Sequence, residues 1–219
     1  MKRIRNKKIT GIAACLLAFV LVFTLGIQGV YAFVTHKTEM TNTITAQSSS
    51  VIITENPASG YQIKPGGSQE KEVTFTNTSE SAVFIRMSFA ATWTDKDGNL
   101  LESVPDYAVI NLTNAVKTSL QWELKSDGWY YYKQVLAKGK KTAPVMNHVT
   151  FASNLPDTYK DGNYTLTFTV EAVQCSDEDA VNTTATTKLF GRAGAITNNA
   201  KKTIDPTSKA VTGGDVTWE

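Results

Sequence analysis

The chain has 219 residues, a formal net charge of +2, 42% hydrophobic and 19% charged residues, two cysteines and two histidines. That length suits one domain with a sizeable core. The charge balance offers no basic patch for nucleic acid, and so few cysteines exclude a disulfide-stapled scaffold.

Taken in chain order, the first segment is a leader. Lys2, Arg3, Arg5, Lys7 and Lys8 form a basic head without an acidic residue, and an apolar run from Ile9 to Val30 follows. It closes on Val30-Tyr31-Ala32, with Val30 and Ala32 at the −3 and −1 positions of a cut before Phe33. This layout is that of a secretory signal peptide over residues 1–32, expected as a helix. The run also approaches the length of a bilayer span, so a retained anchor is the alternative. On either reading the remainder is exported, and only this segment meets the membrane. A lipoprotein signal at Ile12-Ala13-Ala14-Cys15 is rejected, because Lys8 leaves almost no apolar stretch ahead of Cys15.

Cleavage removes five of the 22 Lys and Arg, leaving 17 against 20 Asp and Glu. Cys15 departs with the leader, so Cys175 has no partner for an intramolecular disulfide. Its place after Val170, Ala172 and Val173 suits a buried small apolar side chain.

Residues 33–47 are rich in threonine and read as an extended segment. From there to residue 190 the pattern is that of strands. Val83, Ile85, Met87, Phe89, Ala91 and Trp93 occupy every second position. Val73 and Phe75, then Leu166, Phe168 and Val170, alternate with threonine in the same way. A period of two buries one face and turns the other to solvent. Turn chemistry separates the runs at Pro65-Gly66-Gly67, Asp95 to Asn99, Ser126-Asp127-Gly128 and Asp161-Gly162-Asn163. The expected fold is all-β, an antiparallel sandwich of jelly-roll type over residues 48–190. Ser176 to Asp179 can cap one short helix running toward Leu189. Residues 191–219 read as a loose tail, with Val211, Val216 and Trp218 able to dock.

Catalytic signatures are absent. His36 and His148 stand in no His-Glu-x-x-His arrangement, so no metal ligand is assigned and no cofactor is expected. No serine lies in a Gly-x-Ser-x-Gly elbow. Asp95, Asp97 and Asn99 have the oxygen spacing of a calcium loop, but Leu100 stands where that loop needs glycine, and a hairpin turn is the better reading. The row Trp129-Tyr130-Tyr131-Tyr132 splits between two strand faces. Trp129 with Tyr131 is therefore the candidate binding face, against a core role for aromatic residues in strands.

Four stretches together resemble the TasA/camelysin family of secreted proteins from Gram-positive bacteria. The first is Val30 to Thr35 with Thr41-Asn42-Thr43-Ile44-Thr45, and the second Glu72 to Thr78 with Val83 to Met87. Asp127 to Tyr132 leading into Val135 to Gly139 is the third, and Thr169 to Gln174 the fourth. The resemblance implies a jelly-roll-like sandwich, export through a dedicated signal peptidase, and a non-enzymatic role in the extracellular biofilm matrix, where relatives assemble into fibres. Other matrix proteins are implied as partners. Residues 33–47, freed at Phe33, would then add as a donor strand to a neighbour's sheet edge, and head-to-tail contacts that do not close give filaments. The alternatives are a cell-surface or pilus-associated binding module and, for camelysin-type relatives, a metalloprotease. No catalytic residue carries over to the latter.

Overall fold

The computed structural model describes residues 36–40, 51–56, 63–197, 203–205, 207 and 211–219, all within the unit Thr35–Glu219. The expected leader, with Val30, Ala32 and Phe33, lies outside the described residues, as do residues 41–47.

The chain is mostly β. In order, its strands are β1 (His36–Met40), β2 (Val51–Asn56), β3 (Ser68–Glu70), β4 (Glu72–Asn77), β5 (Val83–Thr94), β6 (Leu100–Leu101), β7 (Ala108–Leu112) and β8 (Trp122–Leu124). They continue with β9 (Tyr130–Tyr132), β10 (Met146–Phe151), β11 (Asn163–Gln174), β12 (Gly194–Ile196), β13 (Thr203–Ile204), β14 (Val211–Gly213) and β15 (Val216–Trp218). The helices described are α1 (Asn114–Lys117), α2 (Asp157–Lys160) and α3 (Asp179–Phe190).

Six strands form the largest sheet, in the order β1-β11-β5-β9-β8 with β6 beside β5. Its spine is the antiparallel pair β5 and β11, in continuous register from Val83↔Gln174 to Thr94↔Asn163. A second group comprises the sheet β3-β10-β7 and the pair β2-β4. Main-chain bonds from Thr142 to Phe75 and from Val145 to Val73 (2.9 Å each) tie these two together. Lys71 closes the corner, its ammonium paired with Glu55 and its N–H on the Asn147 carbonyl.

Alternation explains the core. Val83, Ile85, Met87 and Trp93 of β5 meet Leu166, Phe168, Val170 and Ala172 of β11 in one buried cluster. The same cluster holds Val51, Val73, Phe75, Val149 and Phe151 from the other sheets. Burying each side chain of this kind contributes about 1.5–3 kcal/mol relative to exposure. Edge-on ring contacts order it, with Phe75 against Trp122 at 5.6 Å and Trp93 against Tyr159 at 5.3 Å. The Asp95 loop is the expected hairpin between β5 and β6. Asp95 Oδ1 accepts the N–H groups of Asp97 and Asn99, and Oδ2 accepts the Asn99 amide.

The expected helix after Ser176 is α3. Asn182, fully buried, accepts the Ser176 N–H and donates to the Ser176 carbonyl, pinning its first turns to the end of β11. Gly191 ends it with φ +69°, the left-handed conformation glycine adopts without cost.

The loose tail expected for residues 191–219 is corrected where that stretch is described. β12 pairs with β15, β13 with β14, and Val211, Val216 and Trp218 are all buried. Val216 N–H donates to the Lys133 carbonyl, and Val135 N–H to the Gly214 carbonyl. The segment thus continues the large sheet past the end of β8. Polar composition concealed this, because three widely spaced apolar side chains anchor it.

Candidate functional site

Two places on the large sheet gather the residues singled out from the sequence: its outer face around Tyr131 and its strand edges.

Side chains on β9 alternate as expected, but both faces are covered. Tyr132 packs inward against Trp122 at 4.8 Å, and half-buried Tyr130 stacks on Phe89 at 5.8 Å. Tyr131 points to the opposite face and is 0% exposed, between Trp218 at 4.9 Å and Phe190 at 6.2 Å. Tyr131 is therefore corrected from candidate binding face to packed interior, because α3 and β15 lie over it. Trp129 is half-buried, with the Arg86 guanidinium 4.3 Å from its ring centroid.

Arg86 organises this face. Its Nε and Nη2 donate to Glu171 Oε2 at 2.8 and 2.7 Å, across the β5–β11 ladder. Nη1 donates to the Tyr131 hydroxyl at 3.0 Å and to the Phe190 carbonyl at 2.8 Å, placing a cation at the C-terminal end of α3. The Phe190 ring sits 4.7 Å away, giving a second cation–π contact. The Tyr131 hydroxyl in turn donates to Asp127 Oδ2 at 2.6 Å. Burial pushes the Asp127 carboxyl up, but the bonds from Tyr131 and the Trp129 N–H, with the charges of Arg192 and Arg86, outweigh it and hold the carboxyl below its usual range. This arrangement fastens α3 and β15 to the sheet, and its donors and acceptors are spent internally.

No role was assigned to Arg86, Glu171 or Phe190 from the sequence, and Trp218 was named only as able to dock. A signal was present: Phe84 and Val173 are apolar at positions that strict alternation turns to solvent, and both are buried. Apolar residues on the nominal outside of one end of a sheet announce a covering element.

The remaining sequence candidates do not converge. His36 lies on β1 opposite Ala172, whereas His148 lies on β10 between Glu70 and Asn111, in a different sheet. No group of three metal-ligating side chains occurs among the described residues. Cys175 is buried at 8% exposure.

The edges are different in kind. β1, the described part of the N-terminal segment, pairs with β11 of its own chain from His36↔Ala172 to Met40↔Phe168. On the other flank of β5, β9 pairs only at Arg86 and Met87, and β6 only at Trp93 and Thr94. Ser88 to Thr92 have no strand on that side among the described residues. Val83 N–H bonds the Leu136 carbonyl and Asp95 N–H the Asn99 carbonyl on this flank, so by alternation Phe89 and Ala91 also turn their main-chain groups into the gap. Five strand residues span about 17 Å. Phe89, Ala91 and Tyr130 line the gap half-buried.

Comparison with protein-family models, with curated proteins and with solved structures finds no match to this chain.

Proposed function

We propose that this chain is a secreted structural protein of the extracellular biofilm matrix of a Gram-positive bacterium, assembling into fibres by strand addition. The observation that carries the reading is the gap beside Ser88 to Thr92 of β5, where main-chain donors and acceptors meet half-buried apolar side chains. An extended segment of another copy satisfies both at once: its backbone completes the ladder and its alternate side chains cover Phe89 and Tyr130. The segment proposed is residues 33–47, freed by signal peptidase before Phe33 and released from its cis pairing with β11. Each copy then offers a strand and receives one, and the contact propagates without closing.

A jelly-roll-type sandwich is the architecture we assign. It is supported by a single core cluster that draws on β2, β4, β5, β10 and β11. The rival reading, a surface binding module, retains only Trp129 of its aromatic face.

Electron microscopy of the protein beginning at Phe33 tests the proposal, beside a version lacking residues 33–47 and one carrying Ala91→Pro. Proline at 91 removes an N–H that faces the gap and leaves the β5–β11 ladder its bonds. Filaments from the first protein alone, with Ala91→Pro folded by circular dichroism, are expected. Filaments from all three would retain assembly but overturn strand addition at β5. Monomers throughout would overturn the matrix reading in favour of a binding module.

A further inference from the structure

β8 is an outer strand of the six-stranded sheet, hydrogen-bonded only to β9 among the described residues. The Lys125 N–H donates to the Trp129 carbonyl, and the Lys133 N–H to the Gln121 carbonyl. Main-chain groups alternate between the two sides of a strand. Glu123 and Lys125 therefore direct theirs toward β9, as does the Gln121 carbonyl, whose own N–H goes to the Ala115 carbonyl, while Trp122 and Leu124 direct theirs outward. Leu124 of this strand and Leu120, two residues ahead of it, are 54% and 68% exposed. These are two of the six large apolar side chains exposed among the described residues. An edge with outward main-chain groups and exposed leucines is a template for another strand.

We infer that β8 joins two copies of this chain edge to edge, antiparallel, about a two-fold axis through Leu124. Charge selects both the partner and the register. With Leu124 opposite its own copy, Glu123 of each chain faces Lys125 of the other, and the four charges alternate in sign. Within one chain the Lys125 ammonium lies 2.8 Å from Glu123 and donates to the Trp218 carbonyl at 2.8 Å, which holds it in place on one face of the strand, and the pairing adds the partner's Glu123 to this arrangement. Sliding the register by two residues in one direction sets Glu123 against Glu123. Sliding it in the other sets Lys125 against Lys125. Like charges directly opposite on a sheet are destabilising, so a strand that blunts other approaches accepts its own copy in one alignment. The contact is isologous and closes on itself. It is distinct from addition at β5, and in a fibre it would tie one filament to another.

Cross-linking reads the register directly. Residues opposite one another in a hydrogen-bonded antiparallel pair have Cα atoms about 5.5 Å apart, within disulfide range. Leu124→Cys, oxidised and run on a non-reducing denaturing gel, is expected to give at least about tenfold more dimer than Leu100→Cys, by the distance requirement for a disulfide. Leu100 is 78% exposed on the β5–β6 hairpin and serves as the accessible control. The unmodified protein controls for Cys175. Equal dimer from Leu124→Cys and Leu100→Cys would overturn the proposal, whether or not filaments form.

Charge swapping supplies a second arm, read by sedimentation velocity on proteins that also carry Ala91→Pro. Glu123→Lys and Lys125→Glu singly are each expected to yield monomer, with folding checked by circular dichroism because Lys125→Glu also removes the bond to the Trp218 carbonyl. The double swap is expected to restore the dimer, because it reverses every sign and keeps the alternation. A double swap that stays monomeric while folded, or single swaps that stay dimeric, would overturn the two-fold pairing. Pairing of β8 with β1 of another copy would appear as open oligomers beyond the dimer, and would equally overturn it.

Discussion

The ring of Trp218 lies directly over Gly194: a Cβ added at Gly194 would come within 2.3 Å of the ring. The two residues belong to paired strands, Gly194 opposite Trp218 in the β12–β15 register. Glycine here makes room for an indole that fills the socket formed by Phe84, Tyr131 and Phe190. The indole N–H donates to the Tyr132 carbonyl at 2.9 Å, so the ring satisfies its polar edge while it is buried.

Gly194→Ala is therefore expected to destabilise the protein by about 1–3 kcal/mol, the range for overpacking a filled site. The measurement is the urea midpoint, combined with Trp218→Leu in a double-mutant cycle. The two changes should be strongly non-additive, because a smaller side chain at 218 leaves room for the methyl group.

Arg86 meets Glu171, Tyr131, Phe190, Trp129 and Asp127 at once, and the Arg86–Glu171 pair is well buried, with side chains 12% and 13% exposed. Removing one member of such a pair leaves an uncompensated charge, which costs about 3–5 kcal/mol. Arg86→Met is expected to lower stability by that order, whereas Arg86→Met with Glu171→Leu should recover a large part of it. Arg86→Lys should lose less than Arg86→Met, because an ammonium still compensates Glu171 but cannot also reach Tyr131 and the Phe190 carbonyl. Thermal melting of the four proteins decides the matter.

The depressed Asp127 carboxyl has a consequence at acid pH. Folding favours its ionised form, so the stability it contributes is present above the ordinary carboxylate range and is lost as pH falls through its folded value. Asp127→Asn is expected to flatten the acid limb of a melting-temperature profile below about pH 4, near the ordinary aspartate value. A mutant limb parallel to that of the unmodified protein would show that other carboxylates govern it.

Tyr164 acts at the alkaline end. Burial pushes its hydroxyl up to about 12, beside Trp93 and Phe151. Folding favours the neutral phenol, so this contribution is complete below the ordinary tyrosine value and disappears as pH rises through about 12. Absorbance titration should show one tyrosine ionising last. Tyr164→Phe should remove that step and soften the alkaline loss of stability.

Much of the fold was legible in the sequence, because local rules settle it. Period-two alternation in β5 and β11 identified the side chains that reach the core, and Asp95 to Asn99 announced a hairpin by turn chemistry. Ser176 to Asp179 marked the α3 start, but its N-cap Glu178 makes no side-chain cap bond, and the side chain that fastens the helix is Asn182. The Tyr131 assignment was not legible. Alternation predicts which side of a strand a residue occupies, but not whether another element lies over that side.

By itself, the sequence determined the long strands β5 and β11, their inward faces, the Asp95 hairpin and the lone helix of any length among the described residues. These depend on contacts a few residues apart and on the chemistry of single side chains. Tertiary structure alone decided that β12 and β15 dock, that Arg86 meets Glu171 and the end of α3, and that Ser88 to Thr92 keep an open flank among the described residues. Arg86 and the Phe190 carbonyl are 104 residues apart in the chain, and Trp218 and the Tyr132 carbonyl 86. No periodicity spans such distances. Only the three-dimensional path of the chain brings those groups together or leaves an edge without a neighbour.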